Sequence, residues 1–378
     1  MQVAQVTLDS CRQLAHDLAS LSAMDPGLVL VFGSVDLLQG VGEPLACLFP
    51  SAIRLGCSTA GEISSQGVTD GTCVVTALLF EETPLVASST QLSGMDDSFA
   101  AGQRLGRQLP LAGLRAVLIF GQGVVINGSA LIAGMTEVLG TSVQITGGLA
   151  GDSAAFTETW VLDASGVHKD TLACVGLYGD RLVFSHGSFG GWSPFGPARK
   201  VTRCENNVLF ELDGSPALEV YRRYLGDHAK DLPASGLLFP FAMVDRDHTE
   251  LGLIRTILGI NEAAGSLTLA GDLDPDGYLR LMHASTDALV GGAESAAQAA
   301  KAMLDAPGPG LALLVSCVGR KLVMGGRVDE EVDAVGGVFG QGAVLTGFYS
   351  NGEISPFADN AVCKLHNQTM TITYLTER

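Results

Sequence analysis

The 378-residue sequence has no long uninterrupted apolar run, although 47% of its residues are hydrophobic and its mean hydropathy is +0.32. The apolar residues come in short packets, such as Leu28–Phe32, Val117–Phe120 and Leu311–Val315. A membrane-spanning helix needs about 20 consecutive apolar residues. Short apolar runs bounded by glycine are instead typical of strands buried on both faces. The composition therefore predicts a large buried sheet core and no membrane insertion.

The sequence also lacks a secretory signal and closely spaced cysteine pairs. Polar and charged residues interrupt the first twenty positions, so no basic segment is followed by an apolar one. Eight cysteines are scattered along the chain and mostly lie in apolar packets, a distribution typical of reduced core thiols. These features predict a cytoplasmic protein.

Basic residues are scarce: 22 Lys and Arg face 40 Asp and Glu, giving a net charge of −18. Such a chain repels phosphate backbones, so we expect no nucleic-acid partner.

Motifs of catalysis and metal binding are missing as well, because there is no Cys-x-x-Cys, His-Glu-x-x-His, P-loop or Gly-x-Ser-x-Gly. The sequence therefore predicts a protein that is not an enzyme.

Internal repetition is the strongest positive feature. The loop Gly56–Ile63 (Gly-Cys-Ser-Thr-Ala-Gly-Glu-Ile) recurs as Gly347–Ile354, and a shorter version occupies Gly147–Asp152. Each loop follows a strand–helix–strand pattern and precedes further strands. This order predicts an α/β fold, with α+β as the alternative, in which repeated strand–helix–strand–strand units form a layered and largely buried sheet structure. Helices are predicted at Val35–Phe49, at Gly128–Leu139 and within Glu330–Phe339.

An acidic residue follows the second glycine of each loop: Glu62, Asp152 and Glu353. Each carboxylate either caps the backbone amides of its own turn or faces a polar ligand where the loops gather beyond the strand ends. Three neighbouring side chains join them as candidate ligand-binding residues, namely Cys57, Ser58 and Tyr349. Cys57 has no evident base beside it in the sequence, so a nucleophilic role for it is the weaker alternative.

Three histidines are candidates for an imidazole on an apolar wall. His186 lies in the densest aromatic region of the sequence, His283 ends a predicted strand, and His366 enters the last strand. A buried histidine is usually a hydrogen-bonded core residue. A neutral imidazole in an apolar pocket is also what an iron porphyrin requires.

Several motifs in the right order resemble the FIST family. They are the two full loops, the closing Leu365–Thr371 (Leu-His-Asn-Gln-Thr-Met-Thr), and the stretch Gly191–Gly196 with the later Leu212–Ala217, which resembles the junction between the two FIST halves. The resemblance covers the chain from about residue 27 to its end. It implies a FIST N-like domain over residues 27–195 and a FIST C-like domain over 196–378, preceded by an N-terminal helix at 1–26.

The resemblance implies a small-ligand sensor that regulates a separate signalling protein such as a histidine kinase. A subset of stand-alone FIST proteins binds haem and responds to nitric oxide, and this sequence is similar to that subset. On this basis haem b is the favoured cofactor, with no cofactor as the alternative, and His366, His186 and His283 are alternative iron ligands in that order. The walls of the haem pocket would be Phe184, Phe189 and Trp192. The alternatives are a polar metabolite such as an amino acid at the loops, or an enzyme using Cys57 or the loop carboxylates. A homo-oligomer is compatible with the sequence.

Overall fold

The structure, a computed structural model, describes residues 1–247, 249–304, 308–357 and 362–378. It has the predicted α/β architecture, in which one pattern occurs three times. The pattern is a lead strand, a helical segment, a strand, a second helical segment, a parallel strand, a hairpin and a closing strand. The third unit carries a large insertion after its lead strand.

The first unit covers residues 2–79. Its strands are β1 (Gln2–Leu8), β2 (Leu28–Gly33), β3 (Ile53–Ser58), β4 (Glu62–Ser64), β5 (Gly67–Thr69) and β6 (Cys73–Leu79). Its helices are α1 (Leu14–Asp17), α2 (Ala19–Ser22) and α3 (Val35–Leu48).

The second unit covers residues 85–178. Its strands are β7 (Leu85–Gln91), β8 (Leu114–Gly121), β9 (Gln144–Leu149), β10 (Val161–Asp163), β11 (Gly166–His168) and β12 (Thr171–Tyr178). Its helices are α4 (Ser98–Arg107) and α5 (Gly128–Leu139), and the side chain of Asn127 caps α5 by accepting from the Ala130 amide at 3.0 Å.

The third unit begins with β13 (Leu182–Phe189) and is then interrupted by an inserted domain. That domain contains β14 (Ser193–Pro194), β15 (Arg199–Glu205), β16 (Val208–Leu212), β17 (Ser215–Pro216), α6 (Ala217–Leu225), β18 (Phe241–Val244), β19 (Glu250–Arg255), β20 (Ile257–Asn261), β21 (Ser266–Leu269) and β22 (Tyr278–His283). The unit resumes with α7 (Thr286–Ala302), β23 (Gly310–Cys317), α8 (Val318–Met324), α9 (Asp329–Phe339), β24 (Ala343–Ser350), β25 (Gly352–Pro356), β26 (Cys363–His366) and β27 (Met370–Glu377). Short 3-10 helices lie at Met95–Asp97, Gly226–Asp231, Ala234–Leu238 and Gly325–Arg327.

The units form three six-stranded sheets by exchanging their hairpins. The strand orders are β1-β6-β2-β3-β10-β11, β7-β12-β8-β9-β25-β26 and β13-β27-β23-β24-β4-β5. In each sheet four strands come from one unit and the last two form the hairpin of another unit. Only the central pairs β2/β3, β8/β9 and β23/β24 are parallel among these described strands. The exchange ties the three units into one body, because no sheet is complete without a neighbouring unit.

The three sheets share a central core. Phe32, Phe120 and Phe348, one from each sheet, meet with ring centroids 4.8 to 5.8 Å apart. The outer face of each sheet is covered by its own helices: α3 on the first, α4 and α5 on the second, α7 and α9 on the third. Burial on both faces explains why the parallel strands are continuous apolar runs in the sequence. The inserted domain has a separate core around Tyr221 and Phe241.

The single helix predicted for residues 1–26 is wrong. Gln2–Leu8 form a strand that pairs with β6 over seven residues, and the part that is helical consists of the two short helices α1 and α2. Val3, Val6 and Thr7 are β-branched and favour extended backbone. Among the described residues no helix is both long and apolar enough to cross a membrane.

Candidate ligand site

The three repeated loops contact one another directly. The amide of Ala60 donates to the carbonyl of Tyr349 at 2.8 Å, and the amide of Tyr349 donates to the carbonyl of Gly61 at 2.9 Å. Gly151 donates its amide to the carbonyl of Ser58 at 2.8 Å, and the Ser58 hydroxyl donates to the Gly151 carbonyl at 2.7 Å. A Cβ on Gly151 would lie 2.6 Å from the Ala60 nitrogen, so glycine is required there. The loops therefore gather at one place, as the ligand-facing alternative requires, and they do so by hydrogen-bonding to each other.

Glu62 and Glu353 each accept hydrogen bonds from the threonine that follows the hairpin in which they lie. Glu62 accepts from the amide of Thr72 at 3.0 Å and from its hydroxyl at 2.9 Å, and the Thr59 hydroxyl also donates to it. Glu353 accepts from the amide and hydroxyl of Thr369 and from the Ser350 hydroxyl. Burial raises the pKa of both carboxyls, for Glu353 to about 8. Both contact sets are those of turn caps.

Asp152 is not the structural counterpart of these two glutamates. In the sheets, Glu62 lies opposite Phe348 and Glu353 lies opposite Gly148. The equivalent position in the second unit, opposite Cys57, is Val161. Asp152 instead caps the segment that precedes β10, where its carboxylate accepts from the amides of residues 156, 157 and 158 at 2.7 to 2.9 Å.

The other loop candidates are also engaged within the fold. Cys57 is fully buried in the central core, and burial raises its thiol pKa well above the ordinary value, which opposes thiolate formation. The Tyr349 hydroxyl donates to Glu331 at 2.6 Å. Ser58 is fully buried and bridges two loops. A ligand role for these residues stays a prediction.

A cavity of about 380 Å³ lies between the third unit and the inserted domain. It is lined by the end of β13, the following loop, the inserted strands β18, β19 and β22, and the last hairpin. The lining residues are Ser188, Phe189, Gly190, Gly191, Trp192, Ala242, Glu250, Leu251, Gly252, Ile254, Met282, Phe357, His366 and Thr369. Its volume and its mostly apolar lining are typical of a small-molecule site.

The three candidate histidines lie in different surroundings. Of the three, His366 lines the cavity and is 2% exposed. His186 is buried on β13, where its ring lies 6.0 Å from that of Phe184, and burial lowers its pKa. His283 is exposed at the end of β22. Of the predicted walls, Phe189 and Trp192 line the cavity, whereas Phe184 packs against the central core.

The hydrogen bonds of His366 fix its tautomer. Nε2 lies 3.2 Å from the carbonyl oxygen of Ser355, which only accepts, so Nε2 carries the proton. Nδ1 then holds the lone pair and lies 3.4 Å from the hydroxyl of Ser188, a cavity residue. The ring stacks on Phe357 at 5.9 Å. Burial lowers the pKa of His366 to about 4, so the ring is neutral near pH 7.

A fully buried ion pair anchors the cavity wall. Arg320 and Glu331 are both inaccessible to solvent and lie 2.6 Å apart. Arg320 also donates to the carbonyl of Gly190 in the wall and, at 2.9 Å, to that of Leu289 in α7. The adjacent Gly191 packs so closely on α7 that a Cβ would lie 2.1 Å from the Ala288 oxygen. The wall is therefore coupled to α7 and, through Glu331, to α9.

Several lining residues were missed by sequence reasoning. Ile254, Met282 and Glu250 belong to inserted strands, and Phe357 follows β25. The alternating apolar residues of these strands indicate burial, but not against which partner. Their contact with His366 depends on how the inserted domain folds back over the last hairpin, which no local pattern encodes.

Three pseudo-equivalent sheets joined to an inserted β-rich domain, with a cavity at the junction, define a repeated α/β protein. The FIST N domain matches residues 27–215 and the FIST C domain matches residues 217–356. The chain therefore belongs to the FIST family, as its motifs predicted. FIST domains are small-ligand-binding sensor domains of signal transduction.

Other similarities are more distant. The chain is 34% identical over 97 residues to an uncharacterized protein of Methanocaldococcus jannaschii, a match that covers 25% of this chain and 19% of that protein. A solved cyanuric acid hydrolase from A. caulinodans aligns over 100% of this chain and 98% of its own, with 9% identity and a TM-score of 0.39. A second cyanuric acid hydrolase structure aligns over 100% and 99%, with 10% identity and a TM-score of 0.31. At these values the likeness carries no information on activity.

Proposed function

We propose that the protein senses a small ligand in the cavity between the third unit and the inserted domain. The observation that carries this proposal is the position of His366, a neutral and buried imidazole whose lone pair points toward the cavity residue Ser188. Aromatic walls at Phe189, Trp192 and Phe357 surround it. Binding there alters a wall that is coupled to α7 and α9, which gives the signal a route to the surface.

Haem is the first ligand to test. The donor chemistry fits in part: Nδ1 of His366 holds a lone pair that would bind a metal in place of its 3.4 Å contact with the Ser188 hydroxyl, while Nε2–H is held by a backbone carbonyl, the usual second contact of a metal-bound histidine. Haem, when bound, would supply an iron that takes up nitric oxide. The fit is poorer at the propionates, because the lining residues that the structure describes include no Lys or Arg.

The test is the absorption spectrum of the protein reconstituted with hemin. The proposal expects a band near 400 nm that His366→Ala removes. His283→Ala is the matched control, because His283 is exposed and outside the lining, so this variant should keep the band. A colourless wild-type protein, or a band that survives in His366→Ala, contradicts haem ligation by His366.

We further propose that the protein acts in the cytoplasm on a separate partner such as a histidine kinase. All eight cysteines are free, which supports a reducing compartment. The test is kinase autophosphorylation with the purified sensor, with and without ligand. A ligand-dependent change that is lost in Arg320→Met, which breaks the link between the wall and α9, supports this role. Equal rates in every arm contradict it.

A further inference from the structure

The cavity itself restricts the charge and shape of its ligand, and this restriction deepens the proposed function on which it rests. Its walls come from both sides of the junction: Phe189 and Trp192 from the third unit, Ile254 and Met282 from the inserted domain, and Phe357 from just after β25 in the last hairpin. Aliphatic and aromatic walls favour an apolar ligand through area burial, and the aromatic rings add ring stacking for an aromatic one.

One charged side chain lines the cavity among the residues that the structure describes, and it is acidic. Glu250 is 37% exposed and pairs through Oε1 with Arg280 at 3.4 Å. Arg280 is not part of the lining, so the carboxylate rather than the guanidinium is the group presented to a ligand. An anion placed in the cavity would lie near this carboxylate, which Arg280 balances only from outside the lining, and no lining cation would compensate its lost hydration.

The buried polar group of the lining is an acceptor. Nε2–H of His366 is used by Ser355, so Nδ1 can only accept a hydrogen bond. The hydroxyl of Ser188 lies 3.4 Å from Nδ1, a long contact that a donor on the ligand would replace. The indole N–H of Trp192 is also used, because it donates to the Gln368 carbonyl at 2.7 Å. The hydroxyl of Thr369 donates to Glu353 at 2.8 Å. A ligand that brings its own donor therefore satisfies the cavity better than one that brings only acceptors.

We propose that this cavity takes a small aromatic molecule that is neutral or positively charged and donates a hydrogen bond to Nδ1 of His366. An aromatic amine or alcohol meets these conditions. An aromatic carboxylate of the same size fills the same space but lacks the donor and carries the disfavoured charge.

The chain offers a direct probe, because its two tryptophans are Trp160 and Trp192 and the second lines the cavity. In a Trp160→Phe background, Trp192 fluorescence is titrated with 2-phenylethylamine, 2-phenylethanol and phenylacetate. We expect saturable quenching by the amine and the alcohol. Phenylacetate should bind roughly tenfold more weakly than the amine, as expected for a partly exposed carboxylate acting on charges of opposite sign.

Two variants separate the charge effect from the hydrogen bond. Glu250→Gln should bring the affinities of the amine and phenylacetate together while leaving that of the alcohol unchanged. His366→Phe keeps an aromatic wall but removes the acceptor, so it should weaken the amine and the alcohol several-fold. His283→Phe, which alters an exposed ring outside the lining, should change none of the three affinities.

Phenylacetate binding as tightly as the amine, or an amine preference that survives Glu250→Gln, overturns the inference. So does the absence of quenching by all three probes. These results are distinct from failure of the proposed function: a protein that binds hemin through His366 but none of the probes keeps the sensor role and loses this ligand class. A colourless protein that binds the amine and the alcohol keeps the ligand class and loses haem.

Discussion

Replacing Glu353 by glutamine tests how the last hairpin is held together. One oxygen of Glu353 accepts from the Thr369 amide at 3.1 Å and hydroxyl at 2.8 Å, and the other lies 3.0 Å from the Ser350 hydroxyl. Burial raises its pKa to about 8 despite these bonds, so the carboxyl is mostly protonated at pH 7. A glutamine amide has nearly the same shape and accepts from Thr369 through its oxygen, while its NH₂ group takes the place of the oxygen that faces the Ser350 hydroxyl.

The raised pKa of Glu353 makes the free energy of unfolding fall as pH rises. The unfolded carboxyl ionises near pH 4.5, so between pH 4.5 and about 8 the folded state binds the additional proton. The contribution of this group is fully present below pH 4.5 and is lost as the pH approaches 8. The slope in that window approaches about 1.4 kcal/mol per pH unit. Glutamine has no such proton, so the stability of Glu353→Gln relative to wild type should rise by on the order of 3 kcal/mol between pH 5 and 8.

The assay is urea-induced unfolding of wild type and Glu353→Gln at one-unit steps from pH 5 to pH 8. At each pH the free energy of unfolding of wild type is subtracted from that of the variant. Taking the difference cancels the titration of every group that the two proteins share. Glu219→Gln is the matched control, because Glu219 is 65% exposed, and its difference from wild type should stay within about 0.5 kcal/mol at every pH. A difference for Glu353→Gln that does not change with pH would refute the reasoning, since the carboxyl would then ionise alike in both states.

Three further outcomes are expected. The lowered pKa of His366 means that wild type loses stability as pH falls from 6.5 to about 4, so His366→Phe should show a flatter dependence of Tm on pH across that range, and a parallel dependence would contradict it. Arg320→Met leaves a buried carboxylate unpaired and should lower the free energy of unfolding, measured by urea denaturation, by about 3–5 kcal/mol. Its control, Arg223→Met, removes one partner of an exposed pair and should change that free energy by less than about 1 kcal/mol. Equal losses in the two variants would be inconsistent with the buried pair. Iodoacetamide at pH 8 should label exposed Cys47 and spare buried Cys57 in the native protein, as read by mass spectrometry, and rapid labelling of Cys57 would contradict its burial.

The repeated units were predictable because each obeys local rules. Apolar runs such as Leu28–Phe32 mark strands buried on both faces, and α5 begins and ends at the residues that its sequence predicts. The exchange of hairpins was not predictable. A loop that leads into a hairpin contains no signal for which sheet the hairpin will join, and β4 pairs with β24, where Gly347 lies opposite Ile63.

The same limit applies to the candidate site. His366, Phe189 and Trp192 were selected from the sequence and line one cavity. Asp152 shared a sequence position with Glu62, yet the longer segment before β10 places Val161 at the structural equivalent. Sequence spacing finds equivalent residues only while the units have equal length, and an insertion of a few residues breaks the correspondence.

The inserted domain explains why the cavity lies in the third unit. In the second unit the lead strand β7 is soon followed by α4, whereas in the third the whole domain stands between β13 and α7. Its entry passes through Gly190–Trp192, which line the cavity, and its last strand contributes Met282 to the lining just before the exit. A ligand there contacts the entry link and the strand that leads into the exit link. If a ligand changes the position of the inserted domain relative to the third unit, it must strain the segment around Gly190, which Arg320 holds against α7. This junction is therefore the natural origin of a signal.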